Sequence, residues 1–261
     1  MQEKYNNFNH LKWARESGQD EVLSGVSQNR FLDTQSILKK ADSSSLMENA
    51  GLSENKSLFN VKPAEEVANA AKTLSELREA FISFEGCSLK NTAMNLVYGD
   101  GNAEADVMLI GEAPGADEDR EGKPFVGISG QLLDKMIHSI GLPRSEVYVT
   151  NILPWRPPGN RQPTPGEIDA CLPFVKRHIE LVRPRILVLV GGISAKTLLS
   201  RTEGIMRLRG RWFNYQVDFN GDSIPAIPVL HPAFLLRSTG QKANAWKDMV
   251  AIRKKMKDLE V

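Results

Sequence analysis

The sequence is poor in cysteine, in net charge and in long apolar runs, and each shortage excludes a class of protein. The 261 residues include only two cysteines, Cys87 and Cys171, too few for a disulfide framework, so we expect a reducing, cytoplasmic setting. No apolar run reaches the roughly 18 residues that a membrane span requires, and the first residues lack a signal-peptide pattern. The 33 basic and 32 acidic side chains nearly cancel, so any basic surface for nucleic acid has to be local.

The first 62 residues differ in composition from the rest and divide the chain into two regions. Residues 8–23 have an apolar spacing that predicts an amphipathic helix, and a tract rich in serine and asparagine follows it. This tract has too few apolar residues to bury itself, which predicts a flexible linker. A docked helix and a wholly disordered tail both remain open for this region. Residues 63–261 are predicted to form one folded domain.

The second region alternates between apolar runs and amphipathic segments. Helical periodicity is present over 64–83, and strands and helices take turns from residue 105 onward. The predicted strands span 106–111, 146–151, 185–190 and 225–230, and the predicted helices lie near 128–140, 165–182, 193–200 and 241–258. Apolar strands between helices indicate an α/β fold with three α/β/α layers and a central four-stranded parallel sheet.

Two predicted strands end in residues that can carry chemistry. The run 107–110 ends in Gly111-Glu112-Ala113-Pro114-Gly115, and the run 227–230 ends in His231-Pro232. Active sites of open α/β sheets lie at such carboxyl ends, so Glu112 and His231 are candidates for electrostatic or acid–base roles. A solvated turn residue and a structural histidine are the alternatives. The other histidines lie on predicted helices and are expected at the surface: His10, His138 and His178.

An aromatic residue and an amide accompany these two groups. Phe125 lies in the loop Lys123-Pro124-Phe125-Val126-Gly127, where its ring could stack on a planar ligand or anchor the core. Asn151 ends the strand 146–151, and its amide offers a donor and an acceptor for reading the edge of a base. The alternative for Asn151 is capping of the next turn.

Three basic loops are predicted near the same sheet edge. One contains Arg156 and Arg161, a second contains Arg209 between Arg207 and Arg211, and Arg237 follows the histidine loop. Charged loops are usually only solvated. Together, these arginines could form a rim that binds phosphates despite the neutral total charge.

In their order along the chain, these motifs resemble those of the family-four uracil-DNA glycosylases, the iron–sulfur type. The resemblance spans about residues 84–258. It depends on 111–115, on 123–134, on Thr150-Asn151-Ile152-Leu153 with 156–161, and on His231-Pro232-Ala233-Phe234-Leu235-Leu236-Arg237. It implies that 63–261 form a glycosylase-like catalytic domain that acts as a monomer on uracil in single- or double-stranded DNA and leaves an abasic site.

The resemblance also implies a role for each candidate residue. Phe125 would stack on a flipped-out uracil, Asn151 would pair with its polar edge, and the main chain from Gly111 to Ala113 would complete the pocket. His231 would stabilise the departing base, and Glu112 would stabilise the sugar cation or hold the attacking water, with Glu118 and Asp117 as second choices for the water. Leu235 and Leu236 would wedge into the vacated stack, and Arg237 would hold phosphates.

The sequence departs from this family at two cysteine positions. The family holds a [4Fe-4S] cluster with four thiolates. Cys87 and Cys171 match two of the four ligands, whereas Phe84 and Trp155 occupy the other two positions. Neither Phe nor Trp can ligate iron, so we predict that the cluster is absent and that the two rings fill its volume.

Two other functions remain possible from sequence alone. Loss of the cluster could have accompanied loss of activity, which would leave a non-catalytic nucleic-acid-binding relative. A relative that becomes covalently trapped on DNA would need a histidine in a loop after the third strand, and residues 200–209 contain none.

Overall fold

The computed structural model describes residues 63–217 and 222–261. The predicted helix at 8–23 and the predicted linker lie outside these residues. A sheet of six strands forms the centre of the described part. In chain order the strands are β1 Asp100–Gly101, β2 Val107–Gly111, β3 Val147–Asn151, β4 Ile186–Val190, β5 Phe213–Gln216 and β6 Ser223–Val229.

Helices surround this sheet. In chain order they are α1 Ala64–Ala70, α2 Leu74–Ser83, α3 Ala116–Glu121, α4 Ile128–His138, α5 Pro165–Val182, α6 Gly192–Leu199, α7 Ile205–Leu208, α8 Pro232–Arg237 and α9 Lys242–Leu259. Short 3-10 turns lie at Ser88–Asn91, Arg144–Glu146, Pro158–Asn160 and Thr239–Gln241. In the described part of the chain, no helix is both long and apolar enough to cross a membrane.

The four central strands are parallel, as the sequence predicts. The strand order is β1-β3-β2-β4-β6-β5, and β3, β2, β4 and β6 pair in parallel. The edge strands β1 and β5 are antiparallel and were not predicted. β1 is only two residues long and β5 only four, and both carry polar residues, so neither produces the apolar run on which the strand prediction depended.

The sheet separates two apolar cores, which confirms the three-layer prediction. Met108 and Ile110 of β2 face a core to which α1, α2 and α5 contribute. Val107 and Leu109, their neighbours in the same strand, face the other core, which contains residues of α4 and α9. Both faces of the sheet are therefore covered, because successive side chains of a strand point to opposite sides.

The helical pattern over 64–83 is interrupted in the structure. α1 ends at Ala70 and α2 begins at Leu74. The hydroxyl of Thr73 accepts a hydrogen bond from the Glu76 N–H at 3.1 Å, and the Lys72 N–H donates to the Glu76 carboxylate at 2.7 Å. These capping bonds favour a new helix start at this point over a continuous helix. α5 begins with a capping box, in which the side chains of Thr164 and Glu167 each accept a hydrogen bond from the other residue's N–H.

The prediction that His178 lies at the surface was wrong. His178 is buried, its Nε2 lies 2.8 Å from the Tyr148 hydroxyl, and its ring stacks on Tyr98 with centroids 4.5 Å apart. Burial lowers the pKa of His178 to about 3, so the ring is neutral at pH 7. His138 is exposed as predicted, and His10 lies outside the described residues.

The parallel strands place their carboxyl ends at one edge of the sheet. Gly111 at the end of β2 is in register with Asn151 at the end of β3. Gly191 follows β4, and its N–H donates to the carbonyl of Val229 at the end of β6, 2.9 Å away. The residues that follow all four strands are thereby brought together.

Candidate active site

A cavity of about 550 Å³ opens at this edge of the sheet. Six parts of the chain line it, and they include the chain after β2, the loop before α5, the start of α6 and the histidine loop. The residues that matter most for the chemistry are Glu112, Ala113, Ser129, Arg161, His231 and Arg237. Two of the predicted catalytic residues, Glu112 and His231, therefore share one cavity.

Glu112 is fixed by its main chain and partly withdrawn from water. Its carbonyl accepts a hydrogen bond from the Leu153 N–H at 3.1 Å, which ties the chain after β2 to the chain after β3. Burial raises the pKa of the Glu112 carboxyl above its usual range. Desolvation disfavours the charged form, so this carboxylate can be stabilised by a cation that develops beside it.

His231 is held in one protonation state. Its Nδ1 accepts a hydrogen bond from the Ala233 N–H at 3.1 Å, at the start of α8. Burial, with a smaller effect from Arg237, lowers the pKa of His231 to about 4, against a small opposing effect of Glu118. The ring is therefore neutral at pH 7, and because Nδ1 is an acceptor, Nε2 carries the proton.

Phe125 and Asn151 meet across Gly111. A Cβ at Gly111 would lie 2.3 Å from the Asn151 Oδ1 and 2.5 Å from the Phe125 Cζ, so only glycine fits between them. The Phe125 ring also stacks on His231, with centroids 5.8 Å apart. The aromatic ring, the amide and the imidazole therefore form one cluster, and Glu112 follows Gly111 directly.

Phe125 also contributes to the core. It is 5% exposed and packs with residues of α4. Its backbone has φ of +55°, a left-handed conformation that is uncommon for a bulky residue and typical of functional loops. The structure therefore shows Phe125 as a core anchor that does not line the cavity, and its role as a ligand platform stays a prediction.

The side-chain oxygen of Asn151 has an unmet hydrogen-bonding capacity. Asn151 is 4% exposed, and its Oδ1 is buried without a hydrogen-bond partner among residues 63–217 and 222–261. Such orphaned acceptors are rare and costly in folded proteins. The capping alternative predicted a partner in the next turn, and the described structure contains none.

Glu118 does not line the cavity, although it lies close to it. Its carboxylate is buried and accepts hydrogen bonds from the N–H groups of Gly115, Val126 and Gly127. Asp117, the other second choice for holding water, is half-buried and pairs with Arg120 at 2.7 Å.

The predicted basic rim is only partly free to bind a ligand. Arg161 and Arg237 line the cavity. The guanidinium of Arg161 also forms a two-pronged ion pair with Glu167. Arg156 donates to the Asn160 Oδ1 at 2.7 Å, beside the opening.

Arg209 belongs to the interior, so its prediction as a rim residue is corrected. Its guanidinium forms a buried ion pair with Asp248 of α9 and also donates to the carbonyl of Asn244. A Cβ at Gly210 would lie 2.5 Å from the Asp248 Oδ1, which shows how tightly this contact is packed. Arg209 therefore anchors α9 to the chain before β5.

The predicted wedge residue Leu235 is also corrected. Leu235 is 1% exposed and packs with Leu230 and Ala245, whereas Leu236 is 43% exposed. Both lie on the short helix α8, where adjacent residues point in different directions. Of the two leucines, only Leu236 projects from the protein surface.

Some lining residues were missed by the sequence interpretation. They include Ser129, Gly192 and Ile205. The available signal was the Gly191-Gly192 pair directly after an apolar run, the same pattern that drew attention to Gly111. Gly191 has φ of +101°, and a Cβ there would lie 3.3 Å from the His231 Cδ2, so it lets the histidine approach.

The four positions that correspond to cluster ligands are buried together. Phe84 and Trp155 pack around Phe81 and Phe174, with ring centroids 4.9 Å apart for Phe84–Phe174 and 5.8 Å for Phe81–Trp155. Cys87 and Cys171 are buried beside them. In the described residues, no group of three or more His, Cys, Asp or Glu side chains could hold a metal ion. These residues do not fit a cubane cluster, which needs four thiolates.

Comparison with known proteins identifies the family. A family profile described as "Uracil DNA glycosylase superfamily" matches residues 98–251, more than half of the chain. The chain therefore belongs to the uracil DNA glycosylase superfamily.

Individual relatives narrow the position within that superfamily. A type-4 uracil-DNA glycosylase of Archaeoglobus fulgidus is 39% identical over 169 residues, which cover 63% of this chain and 84% of the relative. The type-4 enzyme of Sulfurisphaera tokodaii is 38% identical over 69% of this chain and 84% of its own length. The type-4 enzyme of Saccharolobus solfataricus is 43% identical over 58% of this chain and 71% of its own length. They confirm the resemblance to the family-four enzymes.

Proposed function

We propose that this protein is a monofunctional uracil-DNA glycosylase, which hydrolyses the bond between uracil and deoxyribose and leaves an abasic site. Membership of the superfamily and the names of the type-4 relatives support this function. The target bond is inaccessible within a stacked duplex, so the nucleotide has to be turned out into the cavity.

The observation that carries the proposal is the orphaned Oδ1 of Asn151. Uracil offers a donor at N3 beside an acceptor at O4, and an amide complements both: Oδ1 accepts from N3–H while Nδ2 donates to O4. Cytosine has an acceptor at N3 and a donor at its amino group, so it would present the opposite pattern. The stacked pair of Phe125 and His231 would lie beside the base plane.

His231 would stabilise the leaving group. As the bond between N1 of uracil and C1′ of the sugar breaks, its electron pair stays on uracil and negative charge builds up on O2. A neutral imidazole with its proton on Nε2 can donate a hydrogen bond to that oxygen without itself being deprotonated.

Glu112 would act on the sugar. Its desolvated carboxylate can stabilise the positive charge that develops at C1′ or orient the water that attacks it. The oxygen of water then bonds to C1′, one water proton passes to a base or to solvent, and the departing uracil anion takes up a proton. The products are uracil and an abasic site.

Cleavage of a defined oligonucleotide tests the proposal. The full chain is incubated with single- and double-stranded oligonucleotides that contain one uracil, followed by alkali, and with matched cytosine and thymine controls. Strand scission only with uracil supports the glycosylase. A shifted but intact band would support a non-catalytic binder, and an adduct that survives denaturation would indicate a covalently trapped relative; either result overturns the proposal.

DNA would be held by the part of the rim that is free to do so, and the enzyme would act as a monomer. Arg237→Ala should weaken DNA binding at every sequence and reduce the salt dependence by about one counterion, with little change in stability.

Arg209→Ala should instead lower the free energy of unfolding by about 3–5 kcal/mol, because it leaves Asp248 buried without its partner. Urea denaturation and binding titrations at several salt concentrations separate the two effects. If Arg237→Ala lowered stability and Arg209→Ala did not, the roles assigned to these two arginines would be contradicted.

We further propose that the protein works without an iron–sulfur cluster. The rings of Phe84 and Trp155 would replace metal ligation by apolar packing, which contributes a few kcal/mol per ring, about 2–3. Protein purified without oxygen should contain no stoichiometric iron by elemental analysis and no charge-transfer absorption in the visible range, and it should be fully folded. Stoichiometric iron would refute this.

A further inference from the structure

We propose that Glu118 is a positioning residue that clamps the Phe125 loop to the chain after β2, rather than a group that holds the attacking water. This inference rests on the proposed function, because it assigns Glu118 a task in building the uracil pocket.

The clamp consists of three hydrogen bonds from two separate loops. One carboxylate oxygen of Glu118 accepts from the N–H groups of Val126 at 3.1 Å and Gly127 at 2.9 Å. The other oxygen accepts from the Gly115 N–H at 3.1 Å. Glu118 thus joins the loop that carries Phe125 to the loop that carries Glu112, and both oxygens are engaged in doing so.

The held segment is the part of the site that needs support. Phe125, next to Val126, has a left-handed backbone with φ of +55°, a strained conformation that persists only where the surroundings fix it. Its carbonyl is also closely packed on α4, since a Cβ at Gly130 would lie 1.9 Å from that oxygen. Without the clamp, the N–H of Val126 would lose its acceptor. The Phe125 ring would then lose its fixed distance from Asn151.

The adjacent Asp119 shows that α3 uses its acidic residues in this way. Asp119 is buried and accepts hydrogen bonds from the N–H groups of Met94 at 2.8 Å and Asn95 at 3.1 Å. It ties α3 to a different loop, and neither Met94 nor Asn95 lines the cavity. Asp119→Ala is therefore a matched control, because it removes from the same helix a buried carboxylate that also accepts hydrogen bonds from backbone N–H groups.

The first experiment needs neither DNA nor activity. Amide hydrogen exchange is measured on the free proteins. Glu118→Ala should accelerate exchange at Gly115, Val126 and Gly127 by about tenfold or more, as expected when a charge-assisted hydrogen bond is lost. Asp119→Ala should accelerate exchange at Met94 and Asn95 and leave it unchanged at Val126 and Gly127. Unchanged exchange at Val126 and Gly127 in a folded Glu118 variant would overturn the clamp. Failure of the proposed function would leave this result intact.

The second experiment separates positioning from water activation. An amide at 118 keeps the length and one strong acceptor, whereas an aspartate keeps the charge but is too short to reach both loops. We expect Glu118→Gln to retain more single-turnover activity than Glu118→Asp and to keep the pH profile of the wild type. If Glu118 held the water through its charge, the order would be reversed and Glu118→Gln would lose the acid limb of the profile, which would overturn the proposal.

Discussion

Replacing His231 with alanine is expected to lower the single-turnover release of uracil by about 10²- to 10³-fold, the range typical for removal of one preorganised donor to a developing anion. The reason is the state in which the structure holds this ring. Nδ1 is occupied by the Ala233 N–H and the pKa is lowered to about 4, so Nε2 offers a proton throughout the neutral range. DNA affinity should change little, because the bond to O2 strengthens only as the base departs.

His138→Ala is the matched control for this change. His138 is exposed on α4, and its loss should leave the rate within twofold of the wild type by the usual tolerance of surface sites. Single-turnover rates with saturating enzyme, together with binding titrations, distinguish the two variants. A His231→Ala enzyme with a near-normal rate would remove the imidazole from the mechanism.

Replacing Glu112 with glutamine is expected to lower the same rate by about 10²-fold or more, because an uncharged amide cannot balance positive charge at C1′. The substitution preserves size and the main-chain bond to Leu153, so folding should be preserved. Comparable melting temperatures for the wild type and the variant would verify this, and an unchanged rate would dismiss the role of the carboxylate.

The pH dependence gives an independent test of Glu112. Its pKa is raised by burial, so in the wild type the rate should fall on acidification as the carboxylate takes up a proton. The pKa of His231 is lower, at about 4, and its protonation would matter only at more acid pH. In Glu112→Gln the residual activity should therefore persist to lower pH and decline near pH 4. An acid limb that stays in place would assign it to another group.

Much of the fold was accessible from the sequence because its central strands are mostly apolar. β2, β3 and β4 are buried along their whole length, which produces clear runs with Gly or Asn at their ends. The edge strands and the break between α1 and α2 were missed because they depend on pairing and capping rather than on periodicity. Glu112 and His231 lie at one cavity as predicted, because each follows a central parallel strand.

The errors concern side chains whose neighbours come from distant parts of the chain. The sequence around Arg209 indicates an exposed basic loop, yet Asp248 lies 39 residues away and binds it. Likewise, the sequence around His178 does not indicate that its ring lies within hydrogen-bond distance of the Tyr148 hydroxyl. For Leu235 and Leu236, a single turn of helix decides which leucine faces outward. Tertiary contacts of this kind leave no local pattern.

The packing of Phe84 and Trp155 against Phe81 and Phe174 has a consequence for how the protein matures in the cell. In the cluster-free protein that we propose, this wall of aromatic rings is complete as soon as the polypeptide folds, without delivery of an inorganic component or an assembly machinery. Such a wall would also contain no iron or inorganic sulfide for oxygen or peroxide to oxidise.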